Sequence, residues 1–376
     1  MIFFSLAIIG TKGGGKLERF YCKTKIISGA GAVAALGELG SKRLLVVSDP
    51  YFAENGTAQR LAALSKAGNT EVFHHIKPDP SVELAAEGTA AVRKFQPDTI
   101  VALGGGSAMD CAKAMAYFAG QKVTLVAIPT TSGSGSEVTD FAILTHNNVK
   151  HPLVDNKLCP DVAILDSDLL AGLPQSLIAD AGFDILSHAL ESYVAKNAGA
   201  ITDALAQDAF CTAFGLLPAS FAGRTQVRQQ IHTAATMAGM AFSQAGLGLC
   251  HAMAHALGGM FHVPHGRLNA ILLPAVIGCN AHIAGEKYAK LARAAGLGGS
   301  ADTVAVRNLK NGLIRLRREL QLPQTLAQAG VEPQAVWLRS KDIVQATLAD
   351  PCCNTNPLRV EDFMVRRVLE EVTGRV

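Results

Sequence analysis

The feature that most constrains this chain is a change of hydrophobic rhythm near residue 181. Before it, short apolar runs alternate with amphipathic stretches. KRLLVVSD (42–49), TEVFHHI (70–76), DTIVALG (98–104) and VTLVAIP (123–129) read as strands bounded by Gly, Pro or Asp. Between them, YFAENGTAQRLAALSKAG, PSVELAAEGTAAVRKFQ and SAMDCAKAMAYFAG read as helices. Such alternation predicts a parallel, Rossmann-like sheet. From Gly182 onward the β-branched runs vanish and Ala- and Leu-rich helical periods continue to the end. The expectation is an α/β domain over 20–181 and an all-α domain over 182–376, with a cleft between them. A length of 376 residues fits two domains, because single cores rarely grow beyond ~250–300 residues.

Composition narrows the function classes. Charged residues are 17% and hydrophobic ones 49%, so much apolar surface must be buried, some of it in a subunit interface, and a homodimer is expected. A net charge of +3 and 6% aromatics, without basic–aromatic interleaving, argue against nucleic acid and anionic membranes as partners. Eight cysteines without a CxxC pair predict free thiols and a reducing, cytoplasmic setting. The opening MIFFSLAIIG lacks a basic flank and a cleavage site. It is also shorter than the ~20 residues a membrane span needs. Residues 1–19, with their TKGGGK linker, read as a disordered extension.

Three motifs carry chemistry. LGGGSAMD follows a strand and opens a helix. Gly104, Gly105 and Gly106 would let backbone approach a pyrophosphate at the positive end of the helix dipole. Ser107 reads as the N-cap and Asp110 as its capping-box acid. The pattern is neither GxGxxG nor a P-loop. PTTSGSGSE (129–137) places small hydroxyls at another strand end, as a ligand-binding or merely polar turn. Asp49 ends a strand where an acid typically accepts from ribose hydroxyls. A 2′-phosphate about 4 Å away would meet repulsion of up to ~4 kcal/mol at an effective dielectric near 20. Half of that disfavours NADP roughly thirtyfold, so NAD(H) is expected.

The third motif is a carboxylate–imidazole set. Asp184 and His188 lie four apart in GFDILSHALESY and share one helix face. His251, His255, His262 and His265 crowd LGLCHAMAHALGGMFHVPHGRLNA, and two or three of them could complete a cage around a divalent ion. Chemistry alone does not choose among the four.

GFDILSHALESY, AFSQAGLGLCHAMAHALGG and FHVPHGRLNAILLP, together with GGGSAMDCAK, IPTTSGSGSEVTDFAI and CNTNPLRVEDF, resemble the iron-containing (group III) alcohol dehydrogenases. The likeness runs from about Thr24 to the C-terminus. It implies the two-domain architecture that this family shares with dehydroquinate synthase, with NAD(H) and Fe(II), or zinc as its rival. Asp184, His188, His251 and His265 match the family's metal ligands. His255 matches a residue beside the nicotinamide, a polar or proton-relay group. Thr130, Thr131, Ser134 (usually threonine), Lys150 and Leu169 match cofactor contacts. Arg267 stands where the family usually has a small or aliphatic residue, which leaves the polarity of the pocket open. KHPLVDNKLCPDVAILD and GGMFHVPHG are most similar to members that serve propanediol- and ethanolamine-utilising microcompartments. That implies a two- to four-carbon primary alcohol or its aldehyde as substrate, the reductase direction, and a possible shell or co-encapsulated partner. Glycerol-type polyol oxidation and a cyclising lyase reaction are the alternatives.

Overall fold

The computed structural model describes residues 18–146 and 149–374. The expected extension thus lies outside the described residues apart from Glu18 and Arg19. The Glu18 carboxylate accepts from the Ala200 N–H at 2.9 Å.

The first part supplies β1 (Lys25–Ser28), β2 (Arg43–Ser48), β3 (Asn69–Phe73), β4 (Thr99–Gly104), β5 (Thr124–Pro129), the hairpin β6 (Phe141–His146) and β7 (Val149–Val154), and β8 (Val162–Leu165). Six of these form one sheet in the order β1-β8-β5-β4-β2-β3, and every pairing in it is parallel. Four of the six are the strands expected from the sequence. The edge strand β1, the inner strand β8 and the antiparallel β6–β7 pair were not expected. β1 and β8 are four residues each, too short to show a period against their flanks.

Both sheet faces are covered, which explains the unbroken apolar runs of TIVALG and TLVAIP. Side chains alternate strictly between the two layers. Leu45, Val47, Ile100, Ala102, Leu125 and Ala127 share one core with α3 (Val82–Phe95) and α4 (Gly106–Ala119). Leu44, Val46, Val101, Leu103, Val126 and Ile128 share the other with α2 (Thr57–Leu64) and a 3-10 turn at Ala32–Glu38. The stretch expected as one helix after β2 breaks at Gly56 (φ 78°), leaving a short α1 (Pro50–Glu54) before α2. Ser81 caps α3 by accepting from the Leu84 N–H, with Glu83 in its first turn and Arg93 and Lys94 in its last.

From α5 (Gln175–Val194) onward the chain is helical: α6 (Ala200–Phe221), α7 (Arg228–Ala245), α8 (Leu249–Phe261), α9 (His265–Ala294), α10 (Asp302–Glu319), α11 (Pro333–Leu338), α12 (Ser340–Ala349) and α13 (Asp362–Val372). The expected domain boundary at 181/182 falls inside α5. α9 is long and apolar enough to cross a bilayer, but 67% of its most apolar window is buried, as suits the central helix of a protein core.

The two halves meet through glycine. Gly133 lies against Ala181 of α5, where a Cβ would stand 3.1 Å from the alanine Cβ. Gly135 has φ +65°, and a Cβ there would fall 2.6 Å from the Gly239 Cα of α7. Gly135→Ala should therefore combine a left-handed L-residue with an overpacked contact and cost about 2 kcal/mol or more. Gly215→Ala on α6, with nothing within 4 Å of its Cβ, should be neutral or slightly stabilising. Urea unfolding midpoints of the two variants would check this contrast.

Candidate metal centre and cofactor cleft

Residues 184, 188 and 191 are spaced i, i+4, i+7 on α5 and face α8 and the start of α9. Asp184 Oδ1 lies 3.9 Å from His188 Nε2, 3.8 Å from His251 Nε2 and 3.5 Å from His265 Nε2. The side-chain donor atoms of Asp184, His188 and His251 all lie within 4.8 Å of one another. His188 is sandwiched between the rings of Phe242 and His251, with centroids at 4.3 and 4.5 Å. The structure thus gathers all four residues that the family resemblance selected. His255, the naive i+4 choice, instead hydrogen-bonds the Asp350 carboxylate through Nδ1 at 2.8 Å and stacks on His265 at 5.2 Å. His262 ends α8 in a left-handed conformation (φ 55°) and takes no part in the cluster.

Electrostatics fit a cation site. Burial alone would raise the Asp184 carboxyl, but the imidazoles of His188, His265 and His251 outweigh it and hold the acid far below the usual carboxylate range. Burial pulls His188 down to about 4 against the attraction of Asp184. Burial also disfavours charge on His251, yet hydrogen bonds to Asp184 and Glu191 win and push it up to about 9. An anionic oxygen beside three imidazole nitrogens is a donor set for a borderline divalent metal.

Three residues of this neighbourhood were missed from the sequence. Glu191 accepts from His251 Nδ1 at 2.7 Å and from the Gly248 and Cys250 N–H groups at 3.0 and 2.7 Å. Its i+3 spacing from His188 was the available signal. Asn269, one turn into α9 from His265, directs its amide nitrogen at Asp184 Oδ1 (2.9 Å), His265 Nε2 (3.1 Å) and His251 Nε2 (3.3 Å). Asp350 gave no local signal, since it reaches His255 from 95 residues away. Arg267 is not free. It grips Asp180 of α5 through two hydrogen bonds of 3.2 and 2.9 Å.

The cofactor motifs occupy the C-terminal ends of neighbouring parallel strands, the usual ligand edge of such a sheet. Gly104 (φ +152°) leaves 2.6 Å between its would-be Cβ and the Ala108 Cβ, so only glycine lets α4 turn off β4 this tightly. Gly105 and Gly106 approach Thr131 and Ser134, with would-be Cβ contacts of 3.3 and 3.2 Å. The two loops therefore form one wall. The N-cap of α4 is Gly105, not Ser107, and there is no side-chain cap bond. Ser107 sits in the first turn instead. Asp110 is no capping acid either: it accepts from Ser136 Oγ at 2.6 Å and the Ile143 N–H at 3.0 Å, tying α4 to the next loop and to β6. Lys113, 1% exposed, continues this tie by donating to the Thr139 and Phe141 carbonyls at 3.0 and 2.8 Å.

Asp49 accepts from the Phe52 N–H, so it caps α1 while lying at the end of β2, beside β4. One carboxylate oxygen is 3.8 Å from the would-be Cβ of Gly104. Thr130 is buried and donates its N–H to the Gly104 carbonyl at 2.9 Å. Leu169 lies in the 3-10 turn Ser167–Leu170 and packs partly buried on the sheet core. Lys150 pairs with Asp79 at 2.7 Å rather than standing free. Cross-links pin the hydroxyl loop to α7: Ser132 Oγ with His232 Nδ1 (2.9 Å), and Thr236 Oγ1 donating to Glu137 (2.6 Å).

With fold and site in view, comparison with known proteins places the chain. Residues 23–167 match the iron-containing alcohol dehydrogenase model, and residues 178–373 match the C-terminal model of the same family. The chain belongs to the iron-containing alcohol dehydrogenases and is an oxidoreductase. It is 40% identical to the 1-propanol dehydrogenase PduQ of Salmonella typhimurium, over 95% of this chain and 100% of that one. It is 36% identical to the NADPH-dependent butanol dehydrogenase of Clostridium saccharobutylicum, over 94% of this chain and 97% of that one. A solved 1,3-propanediol oxidoreductase superposes with a TM-score of 0.89 at 30% identity, covering 94% of this chain and 99% of its own.

Seven of the eight cysteines are at least partly buried, and Cys22 is exposed. All eight are free. Burial pushes up Cys111 and Cys353 to about 12, and it also raises Cys159, Cys211, Cys250, Cys279 and Cys352. Only a thiolate reacts readily, so the exposed Cys22 should be the one fast-labelled thiol at pH 8. Maleimide labelling with peptide mapping should find Cys22 first, and Cys22→Ser should remove the fast phase.

Proposed function

We propose that this protein is an NAD(H)-dependent, metal-activated dehydrogenase that interconverts short-chain primary alcohols and aldehydes, acting chiefly as an aldehyde reductase. One observation carries the reading. A carboxylate and three imidazoles converge on α5, α8 and α9, and α5 is pressed directly against the loop 130–137 that adjoins the triglycine turn. Metal and nicotinamide would thus face each other where residues 20–181 meet residues 182–376.

Asp184, His188, His251 and His265 would hold the ion, with Fe(II) favoured by the family and Zn(II) as the rival. Bound there, the ion supplies Lewis-acid polarisation of a substrate oxygen, and the nicotinamide supplies or accepts hydride. The chain's own groups do the rest. The free N–H groups at the start of α4, reached past Gly104, Gly105 and Gly106, cradle the pyrophosphate, with Ser107 in the same turn. Thr130, Thr131 and Ser134 offer hydroxyls to the cofactor, and Leu169 offers apolar contact. Lys150 reaches it only by leaving Asp79. Asp110 acts indirectly, by fixing the loop. Asp49 accepts from the ribose hydroxyls and repels a 2′-phosphate, which supports NAD(H) even though the butanol dehydrogenase relative is named for NADPH. His255, held by Asp350 and partly open to solvent, is placed to move a proton.

Arg267 is consumed by Asp180, so the pocket gains no free cation for a phosphorylated or acidic substrate. That favours a small uncharged substrate, and the 1-propanol dehydrogenase relative points to propanal rather than a polyol. We further read the protein as a cytoplasmic homodimer associated with a propanediol-type microcompartment, on the strength of the 1-propanol dehydrogenase relative. Even dispersal in cells that assemble such shells would refute that association.

Propanal-dependent oxidation of NADH should be robust in metal-loaded protein. Asp184→Ala should lose the ion and reduce kcat/KM by about 10³-fold, the scale of several kcal/mol of Lewis-acid assistance. Normal turnover in that variant would sink the metal assignment. Asp49→Ser keeps a cap for α1 and should raise NADPH use relative to NADH about tenfold or more. A parent enzyme that already prefers NADPH would overturn the cofactor reading.

A further inference from the structure

We infer that Glu191 is a positioning residue for the metal centre: it fixes His251 as the Nδ1–H tautomer and thereby aims an unprotonated Nε2 at the ion. The inference rests on the metal reading above and extends it to a residue outside the ligand set.

The geometry makes the case from two sides of one ring. Glu191 is 3% exposed and its Oε2 lies 2.7 Å from His251 Nδ1. No cation of Lys or Arg pairs with it among the described residues. It is held instead by main-chain donors at the start of α8, the N–H groups of Gly248, Cys250 and His251. Both carboxylate oxygens already accept from these N–H groups, so Nδ1 is the donor in the contact with His251. On the opposite side of the ring, the Asn269 amide nitrogen stands 3.3 Å from Nε2. The Cys250 Sγ approaches Asn269 Oδ1 at 3.6 Å, which turns the amide's N–H side toward the cluster. With Nδ1 engaged by Glu191, Nε2 is the ring atom turned toward Asp184, Asn269 and the rest of the cluster, where an ion would be held.

The sequence makes room for this contact. A Cβ on Gly248 would fall 2.8 Å from Glu191 Oε1 and 2.7 Å from Asn356 Oδ1, so glycine at 248 lets the carboxylate reach the helix end. Glutamine at 191 could still accept from the helix N–H groups. Its amide N–H, however, would face Nδ1 and favour the Nε2–H tautomer, which cannot ligate through that atom.

The test is anaerobic titration of metal-free protein with Zn(II) or Fe(II) alone, using chelator competition, in the parent, Asp184→Ala and Glu191→Gln. We expect the parent to bind one ion, Asp184→Ala to lose it, and Glu191→Gln to bind it about 10–100-fold more weakly. The metal-induced rise in Tm should shrink in Glu191→Gln. Glu191→Gln binding as tightly as the parent would overturn the role of Glu191 and leave the metal site intact. A lower metal-free Tm with an undiminished metal-induced rise would do the same, reducing Glu191 to a helix cap. A parent that binds no ion would fell the metal reading and this inference together. Should Glu191→Gln not fold, long-range 1H–15N correlation on His251 of the parent decides. A proton held on Nδ1 supports the assignment, and a ring protonated on Nε2 alone overturns it.

Discussion

The site depends on a backbone-to-backbone contact. Gly133 and Gly135, in the loop that leaves β5, lie flat against Ala181 of α5 and Gly239 of α7. Any side chain there would push the sheet and the helices apart. The distance between the triglycine wall and the Asp184–histidine cluster is set by this seam, because Asp184 follows Ala181 by less than one turn. Phe242 reinforces it from the side. Its ring stacks on His188, and its edge would lie 3.3 Å from a Cβ on Gly135. Ser132–His232 and Thr236–Glu137 then fix the loop's rotation against α7. Small residues set the approach, and buried hydrogen bonds set the register.

Around the ligand set, polar groups are satisfied by chain segments far apart in sequence. Glu191 serves two purposes with one carboxylate, closing the start of α8 and orienting His251. The Asn269 amide nitrogen donates to Asp184 Oδ1 and lies within 3.3 Å of His251 Nε2 and His265 Nε2. Arg267 and Asp180 lock the first turn of α9 to α5, and Gly266 lets that turn sit directly on the Asp180 carbonyl oxygen. The position of His265 is thereby dictated by its two neighbours in the chain.

The sequence revealed those features whose signal is local. β2 to β5 were legible because each is long enough and apolar enough to stand out between amphipathic helices. β1 and β8 were not, since four residues carry no period and their identity as strands comes from pairing, β1 with β8 and β8 with β5. The i,i+4 spacing of Asp184 and His188 was visible, whereas the choice of His251 and His265 over His255 needed the family motif. In the fold, His255 directs its Nδ1 to Asp350. Ser107 failed as a cap because the helix starts two residues earlier, with Gly105 at the cap position. Asp110 looked like a local capping acid. Its partners, Ser136 and Ile143, lie 26 and 33 residues away, beyond any local rule.

The interior of α4 has a consequence for how the enzyme meets its anion. Asp110 and Lys113 are both buried within one turn of each other, so their charges largely cancel behind the triglycine loop. Lys150, the nearest cation named for this edge, is neutralised by Asp79. What this edge would offer a pyrophosphate is then chiefly the free N–H groups and the aligned peptide dipole at the helix start, a field confined to the first turn. A dinucleotide held in this way would be recognised by its fit against the glycine turn more than by its net charge.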